Sequence, residues 1–207
     1  LIPLKSILDA AEYFLRKQKM SLGISEKEKI KIAIKSLGLD DLAPFKPEKK
    51  IIEYMLEKDN VKKLTDMGLS SFADETASEL PAPGGGSVAA YAGALGASLG
   101  TMVANLSANK KGWEDRWEEF SSWAVKGQQY KKTLLDLVDE DTLAFKAIMN
   151  AFGLPKSTDA EKKARTTAIQ DATKYAIEVP LKVMETAFNS MEVLKAMAEN
   201  GLEASVS

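Results

Sequence analysis

Between Ser87 and Asn109 the chain carries no charged residue, and its side chains sort into two stripes that only a helix keeps apart. Ala90, Gly93, Ala97, Gly100 and Ala104 make a stripe of small residues, while Val88, Tyr91, Leu95, Leu99, Met102 and Leu106 make one of large residues. Spacings of three and four hold each stripe straight over Val88 to Leu106, so another backbone can approach the small side while side chains interdigitate on the large one. Both faces therefore want partners. Gly96 and Gly100 also match the motif by which membrane helices dimerise, which makes a membrane span the alternative. Ser, Thr, Asn, Gly and Ala give little transfer energy, so the reading adopted is a core helix of a bundle, with no membrane.

The approach to this helix is Pro81-Ala82-Pro83-Gly84-Gly85-Gly86-Ser87. Two prolines stiffen the chain, three glycines let backbone come close to a neighbour or ligand, and Ser87 stands where an N-cap belongs. Unpaired N–H groups at such a start attract anions. Two readings stay open from these residues: a ligand site, or close packing of a bent chain.

Elsewhere the pattern is helical, with no convincing strand, so the expected fold class is all-α. Leu4, Ile7, Leu8, Ala11, Phe14 and Leu15 form one buried face. Ser25 and Glu28 make a capping-box pair ahead of Ile30, Ala33, Ile34 and Leu37, with Gly38 as the stop. A third helix is expected near Pro47, burying Ile51, Ile52, Met55 and Leu56; a charged, weakly periodic stretch from Glu57 to Met67 follows, then a short helix from about Ser70. One long helix is expected from Trp113 to about Phe152, with Trp113, Trp117, Phe120 and Ala124 on its apolar face. Thr158 and Glu161 start another by a second capping box. Its apolar face carries Ile177, Leu181, Met184, Phe188, Met191 and Leu194, read as core filler, and Pro180 predicts a kink.

Composition narrows the chemistry. Among 207 residues, 28 basic and 30 acidic side chains give a net charge of −2, which argues against a nucleic-acid surface. There is no cysteine and no histidine, which removes the thiol nucleophile, the commonest acid/base residue and the commonest metal ligands. No metal site is expected. Proton transfer must fall to Asp, Glu, Lys, Tyr or water. Along the long helix, Leu134, Val138, Phe145, Ile148 and Phe152 leave one buried position unfilled between 138 and 145, and a carboxylate, Asp141, stands there. Asp139 and Glu140 point elsewhere and read as solvated charges. A lone buried carboxylate is costly unless paired or protonated, so Asp141 is either a functional group or one end of a structural salt bridge.

The glycine junction with Val88-Ala89-Ala90, the runs Gly93-Ala94-Leu95-Gly96-Ala97 and Met102-Val103-Ala104-Asn105-Leu106, the segment Leu137-Val138-Asp139-Glu140-Asp141, and Leu154-Pro155-Lys156 together resemble the cyclodeaminase domain of the formiminotransferase-cyclodeaminase family. Pro3-Leu4-Lys5, Leu37-Gly38-Leu39-Asp40 and Ile51-Ile52-Glu53-Tyr54 resemble the tail of that family's transferase domain. The resemblance implies residues 1–57 as the transferase tail, 58–69 as a linker and 70–207 as a cyclodeaminase bundle. It also implies a catalytic transferase histidine upstream of Leu1, in keeping with a start that is not Met, and further helices after Ser207. Relatives commonly read Asn-Pro-Asn before Ser-Val-Ser, where this chain has Leu202-Glu203-Ala204.

The implied chemistry moves a formimino group from formiminoglutamate to tetrahydrofolate and then closes the ring to 5,10-methenyltetrahydrofolate with loss of ammonia. The family's acid/base carboxylate falls on Asp141, implied to be desolvated with its pKa raised toward neutrality. Gly84, Gly85, Gly86 and Ser87 are implied to bind the folate, with Lys156 and Arg165 on its glutamate carboxylates. Lys110, Lys111, Lys131, Lys132, Lys162 and Lys163 are candidates to guide a polyglutamate tail. No tightly bound cofactor is implied, only a tetrahydrofolate derivative as substrate. A cytoplasmic homo-oligomer, dimer or higher, paired through the small-residue and Met-rich faces, is expected. The rivals are a methenyltetrahydrofolate cyclohydrolase on the same scaffold and a non-catalytic assembly module in which Asp141 is paired and inert.

Overall fold

A computed structural model describes residues 1–56 and 63–205. The chain is all-α: α1 (Leu4–Lys17), α2 (Glu26–Ser36), α3 (Pro47–Lys50), α4 (Ile52–Leu56), α5 (Leu69–Thr76), α6 (Gly85–Ala108), α7 (Trp117–Phe152) and α8 (Asp159–Asn200), with single 3-10 turns at Leu64–Asp66 and Glu203–Ser205. Of the expected linker 58–69, residues 58–62 lie outside the described residues.

The chain divides into two compact units. The first comprises Leu1–Val61, Ser98–Gln129 and Val193–Ser207. Its α1 and α2 pack through Ile7, Ala11, Ile30 and Ala33, as their periodicity predicts, although Leu37 at the end of the α2 stripe is exposed. Ser25 caps α2 by accepting from the Glu28 N–H at 3.2 Å, but the Glu28 carboxylate turns to Lys31 instead of closing the box. The helix expected from Pro47 is split at Ile51. There the backbone is extended and pairs in parallel with Ile2: the Ile2 N–H donates to the Lys50 carbonyl at 2.9 Å and the Ile52 N–H to the Ile2 carbonyl at 3.1 Å. Ile51 is fully buried by this pairing, whereas Ile52 and Leu56 are left exposed.

In the same unit the segment after α1 seats on α6 and α7. The Ser21 N–H donates to Asn109 Oδ1, the Leu22 N–H to Ser121 Oγ, and the Gly23 carbonyl accepts from both Asn105 and Gln128 side chains. Gly23 lies so close to α7 that an added Cβ would stand 2.2 Å from the Ala124 Cβ. The α7 helix starts at Trp117, later than expected, with Trp113 stacked on Phe120 from the preceding turn.

The second unit comprises Lys62–Ala97 and Tyr130–Glu192. Its core is Ala90, Ala94 and Ala97 of α6, Leu134, Leu137, Val138 and Ala144 of α7, and Val179 and Val183 of α8. The small stripe of α6 is therefore the buried one, and a Cβ added at Gly93 would stand 3.4 Å from Leu134 and 3.5 Å from Ala187. Of the large stripe, Tyr91 packs against Phe72, whereas among the described residues nothing covers the rest: Val88, Leu95, Leu99, Met102 and Leu106 are 37–59% exposed. By length and composition α6 can cross a membrane, with 44% of its most apolar window buried.

Helix α8 begins with a complete capping box, the Thr158 and Glu161 backbone N–H groups each bonded to the other's side chain, and runs unbroken through Pro180. Its Met-rich stripe is not core. Ile177, Leu181, Met184, Phe188 and Met191 are 51–72% exposed, and Phe145 and Phe152 of α7 are exposed as well. Periodicity marks a face as apolar without saying what covers it.

Candidate functional site

The broken stripe of α7 and the glycine junction meet. Asp141 projects from α7 onto the start of α6, where its Oδ2 accepts the Ser87 N–H at 2.9 Å and lies 3.0 Å from Ser87 Oγ. The anion that the helix start calls for is thus a side chain of the chain itself. This settles the pairing question in an unexpected way. No cation lies within ion-pair reach of Asp141 among the described residues, so the salt-bridge reading is replaced by backbone and hydroxyl donors.

Helix α6 begins at Gly85, not after Ser87, so Ser87 is inside the first turn and is not the N-cap. It is fully buried, with its N–H on Asp141 and its hydroxyl between Asp141 and the Val138 carbonyl, 2.9 Å away. The structure places Ser87 behind the carboxylate. Gly86 is in front of it. A Cβ there would stand 2.2 Å from Asp141 Oδ1 and 2.6 Å from Cγ, so only glycine leaves room for the carboxylate at this approach. A Cβ at Gly84 would be 3.6 Å from Oδ2, an ordinary contact, and one at Gly85 would meet nothing within 4 Å. Both readings of the glycines hold together: they pack closely, and what they pack around is an anionic group.

Asp141 is half-buried, and its Oδ1 accepts no hydrogen bond from the described residues. One oxygen is anchored and the other is available, which is the arrangement a carboxyl group needs to exchange protons with a bound molecule.

The two acids beside it are not solvated bystanders. Asp139 holds the 3-10 turn before α5, accepting the Leu64 N–H at 2.6 Å and the Thr65 hydroxyl at 2.8 Å. Glu140 accepts from the Tyr175 hydroxyl at 3.2 Å and lies 3.8 Å from Lys182 Nζ. Burial, with the Glu140 charge and hydrogen bond behind it, pushes the Tyr175 pKa up. Three consecutive acids thus serve three elements: the turn before α5, helix α8 and helix α6. No local signal predicts the first two, because their partners lie 75 and 35 residues away.

Lys156 and Arg165 are not brought to Asp141. Arg165 donates to the Phe152 carbonyl at 3.2 Å, closing the C-terminus of α7, and its guanidinium stands 5.8 Å from the Phe152 ring centroid. Phe152 is eleven residues beyond Asp141, about 16 Å along the helix axis. Lys156 is exposed in the following loop. Lys131, on α7, is half-buried, and burial lowers its pKa. Among the described residues, no three Asp or Glu side chains converge as a metal site would require.

Residues 68–207 match the family model described as Formiminotransferase-cyclodeaminase, and residues 1–57 match that of the Formiminotransferase domain. The formimidoyltransferase-cyclodeaminase of Gallus gallus is 39% identical over 202 residues, covering 97% of this chain and 37% of that protein. This chain therefore spans little more than a third of the length of such relatives. The methenyltetrahydrofolate cyclohydrolase of Methylorubrum extorquens is 39% identical over 133 residues, 64% of each chain. Among solved structures, a formiminotetrahydrofolate cyclodeaminase from Thermotoga maritima superposes with a TM-score of 0.58 at 31% identity, covering 69% of this chain and 67% of that one.

Proposed function

Because the chain belongs to the formiminotransferase-cyclodeaminase family, we propose that its region 70–207 converts 5-formiminotetrahydrofolate to 5,10-methenyltetrahydrofolate and ammonia, with Asp141 as the acid/base group. In this reading residues 1–57 close a glutamate formiminotransferase domain and 58–69 link the two. The observation that carries it is the division of labour within one carboxylate: Oδ2 held by the Ser87 N–H, Oδ1 without a donor among the described residues.

The reaction balances around a single proton. The formimino group enters as its formamidinium cation, N10 adds to the formimino carbon, and a C–N bond forms as the C=N bond opens. Asp141 takes the proton from N10 and delivers it to the amino group, which leaves as ammonia while the methenyl cation forms. One positive charge enters and one leaves. No oxidant, reductant or tightly bound cofactor is needed. Gly84, Gly85 and Gly86 form the approach by which the folate reaches Asp141, and Ser87 holds the group from behind. Lys156, in the loop after α7, and Arg165, on α8 and bonded to the Phe152 carbonyl about 16 Å along α7 from Asp141, are assigned to the glutamate carboxylates of a polyglutamylated substrate.

The same family reading carries assignments to histidine degradation and to the cytoplasm. A homo-oligomer is supported by α8, where Ile177, Leu181, Met184, Phe188 and Met191 repeat at alternating spacings of four and three and remain exposed. That spacing is the seam along which helices pair.

A second reading, hydrolysis of 5,10-methenyltetrahydrofolate, is favoured by the likeness to the Methylorubrum cyclohydrolase. The test supplies the full-length protein with 5-formiminotetrahydrofolate and follows methenyl absorbance and ammonia, then supplies methenyltetrahydrofolate alone. Equimolar methenyl product and ammonia are expected. Hydrolysis of the methenyl compound well above the buffer rate, without ammonia from the formimino compound, overturns the cyclodeaminase reading.

A further inference from the structure

We infer that Ser87 is a positioning residue for Asp141 whose single hydroxyl proton changes acceptor as the carboxyl group gains and loses its proton. The inference rests on the acid/base role proposed for Asp141.

Ser87 Oγ has two acceptors in reach, the Val138 carbonyl at 2.9 Å and Asp141 Oδ2 at 3.0 Å, and only one proton to donate. Both acceptors sit on α7 one turn apart and within reach of the same Oγ, so a rotation about the Ser87 Cβ–Oγ bond alone exchanges them without moving either helix. The choice is set by charge. A carboxylate oxygen is a stronger acceptor than a backbone carbonyl, so the hydroxyl serves Asp141 while it is ionised. Once Asp141 holds the proton taken from N10, its Oδ2 is an ordinary neutral acceptor and the hydroxyl turns to Val138. The Val138 carbonyl already accepts along the helix and has a second lone pair free for this use.

The consequence is that neither charge state of Asp141 leaves a buried hydroxyl unsatisfied. A group that must take a proton and then give it back needs both states within reach of each other. The Ser87 N–H stays on Oδ2 throughout and fixes the carboxyl plane, leaving Oδ1 toward the substrate. Ser87 is fully buried, so its hydroxyl meets Asp141 and Val138 and not solvent, which separates this role from substrate binding.

The test uses Ser87→Ala, which removes the hydroxyl and keeps the backbone donor, with Ser87→Cys, whose weak S–H donor replaces it in part. In the full-length protein, Ser87→Ala is expected to lower kcat on the order of tenfold to a hundredfold with KM within twofold, the rate equivalent of one hydrogen bond to a charged group. Ser87→Cys should recover part of that loss. A kcat within twofold of wild type, or a parallel loss of kcat and KM that Cys leaves unrepaired, overturns the inference. An infrared difference spectrum against Asp141→Asn at neutral pH gives a readout without turnover: the Asp141 carboxylate stretch should move in Ser87→Ala, and an unmoved band also overturns it. If wild-type protein makes no ammonia, the cyclodeaminase reading fails while the infrared result still decides the contact.

Discussion

Replacing Gly86 by alanine adds one methyl group at the point where the site has no space. In an ordinary helix this change stabilises by roughly 1 kcal/mol through propensity alone. Here the new Cβ would stand 2.2 Å from Asp141 Oδ1, 2.6 Å from Cγ and 2.9 Å from Oδ2, and ordinary contact begins near 3.4 Å. The whole carboxyl group must retreat by about 1 Å or the first turn of α6 must bend, since van der Waals repulsion at these separations rises steeply. Either movement breaks the 2.9 Å bond from the Ser87 N–H, which as a hydrogen bond to a charged group is worth about 1.5–3 kcal/mol. Against the propensity gain, the net effect on stability is a loss of roughly 0.5–2 kcal/mol. Displacement of a reacting group by about 1 Å costs on the order of a hundredfold in rate. The expected result is a kcat reduced by about that factor, read by ammonia release under saturating 5-formiminotetrahydrofolate, with cooperative unfolding retained. Gly96→Ala, further along the same helix and away from the approach, is the internal control, because a Cβ there meets nothing within 4 Å. It should keep wild-type turnover. Equal turnover in Gly86→Ala and Gly96→Ala would overturn the steric role of Gly86.

Three further outcomes follow from contacts away from the carboxylate. Asp139→Ala should release the Leu64–Asp66 turn, costing about 1–3 kcal/mol in urea unfolding and raising amide exchange at Leu64; unchanged exchange there would refute the latch. Tyr130 donates to Glu192, and that bond, with burial and the Glu192 charge, holds its pKa up at about 12 against an ordinary value of 10. A raised pKa contributes stability that is complete below pH 10 and is lost as pH rises toward 12, so wild type should lose more stability across that window than Tyr130→Phe, and equal alkaline losses in paired melts would contradict it. Phe188→Glu, placed in the exposed seam of α8, should shift the sedimentation coefficient toward monomer without lowering helicity; an unchanged sedimentation profile would remove α8 from the interface.

Much of the fold follows from local rules, and so it is legible in the sequence. The apolar faces of α1 and α2, the Ser25 cap, the Thr158–Glu161 box and the buried small stripe of α6 all depend on residues within a few turns of one another. What escapes depends on distant partners. Ile51 leaves a helical pattern because Ile2 pairs with it from 49 residues away, a pairing that periodicity does not encode. Ser87 reads as an N-cap, yet the helix starts earlier because its anion is a side chain 54 residues later. The same limit applies to the stripe on α8: its spacing identifies an apolar face correctly, but the same pattern describes a face turned into a core and one left for another helix. Asp141 was legible for the opposite reason. A carboxylate at an apolar register is a local contradiction, and the contradiction marked the position that the glycine junction encloses.

The central claim is that Asp141 carries the proton from N10 to the departing ammonia, and Asp141→Asn in the full-length protein tests it most directly. Asparagine keeps the size of the side chain and an oxygen to accept the Ser87 N–H, but it cannot take up and return a proton at neutral pH. Ammonia release from 5-formiminotetrahydrofolate should fall by roughly a hundredfold to ten-thousandfold with the unfolding midpoint little changed. Turnover within a few-fold of wild type in a folded Asp141→Asn protein would contradict the account.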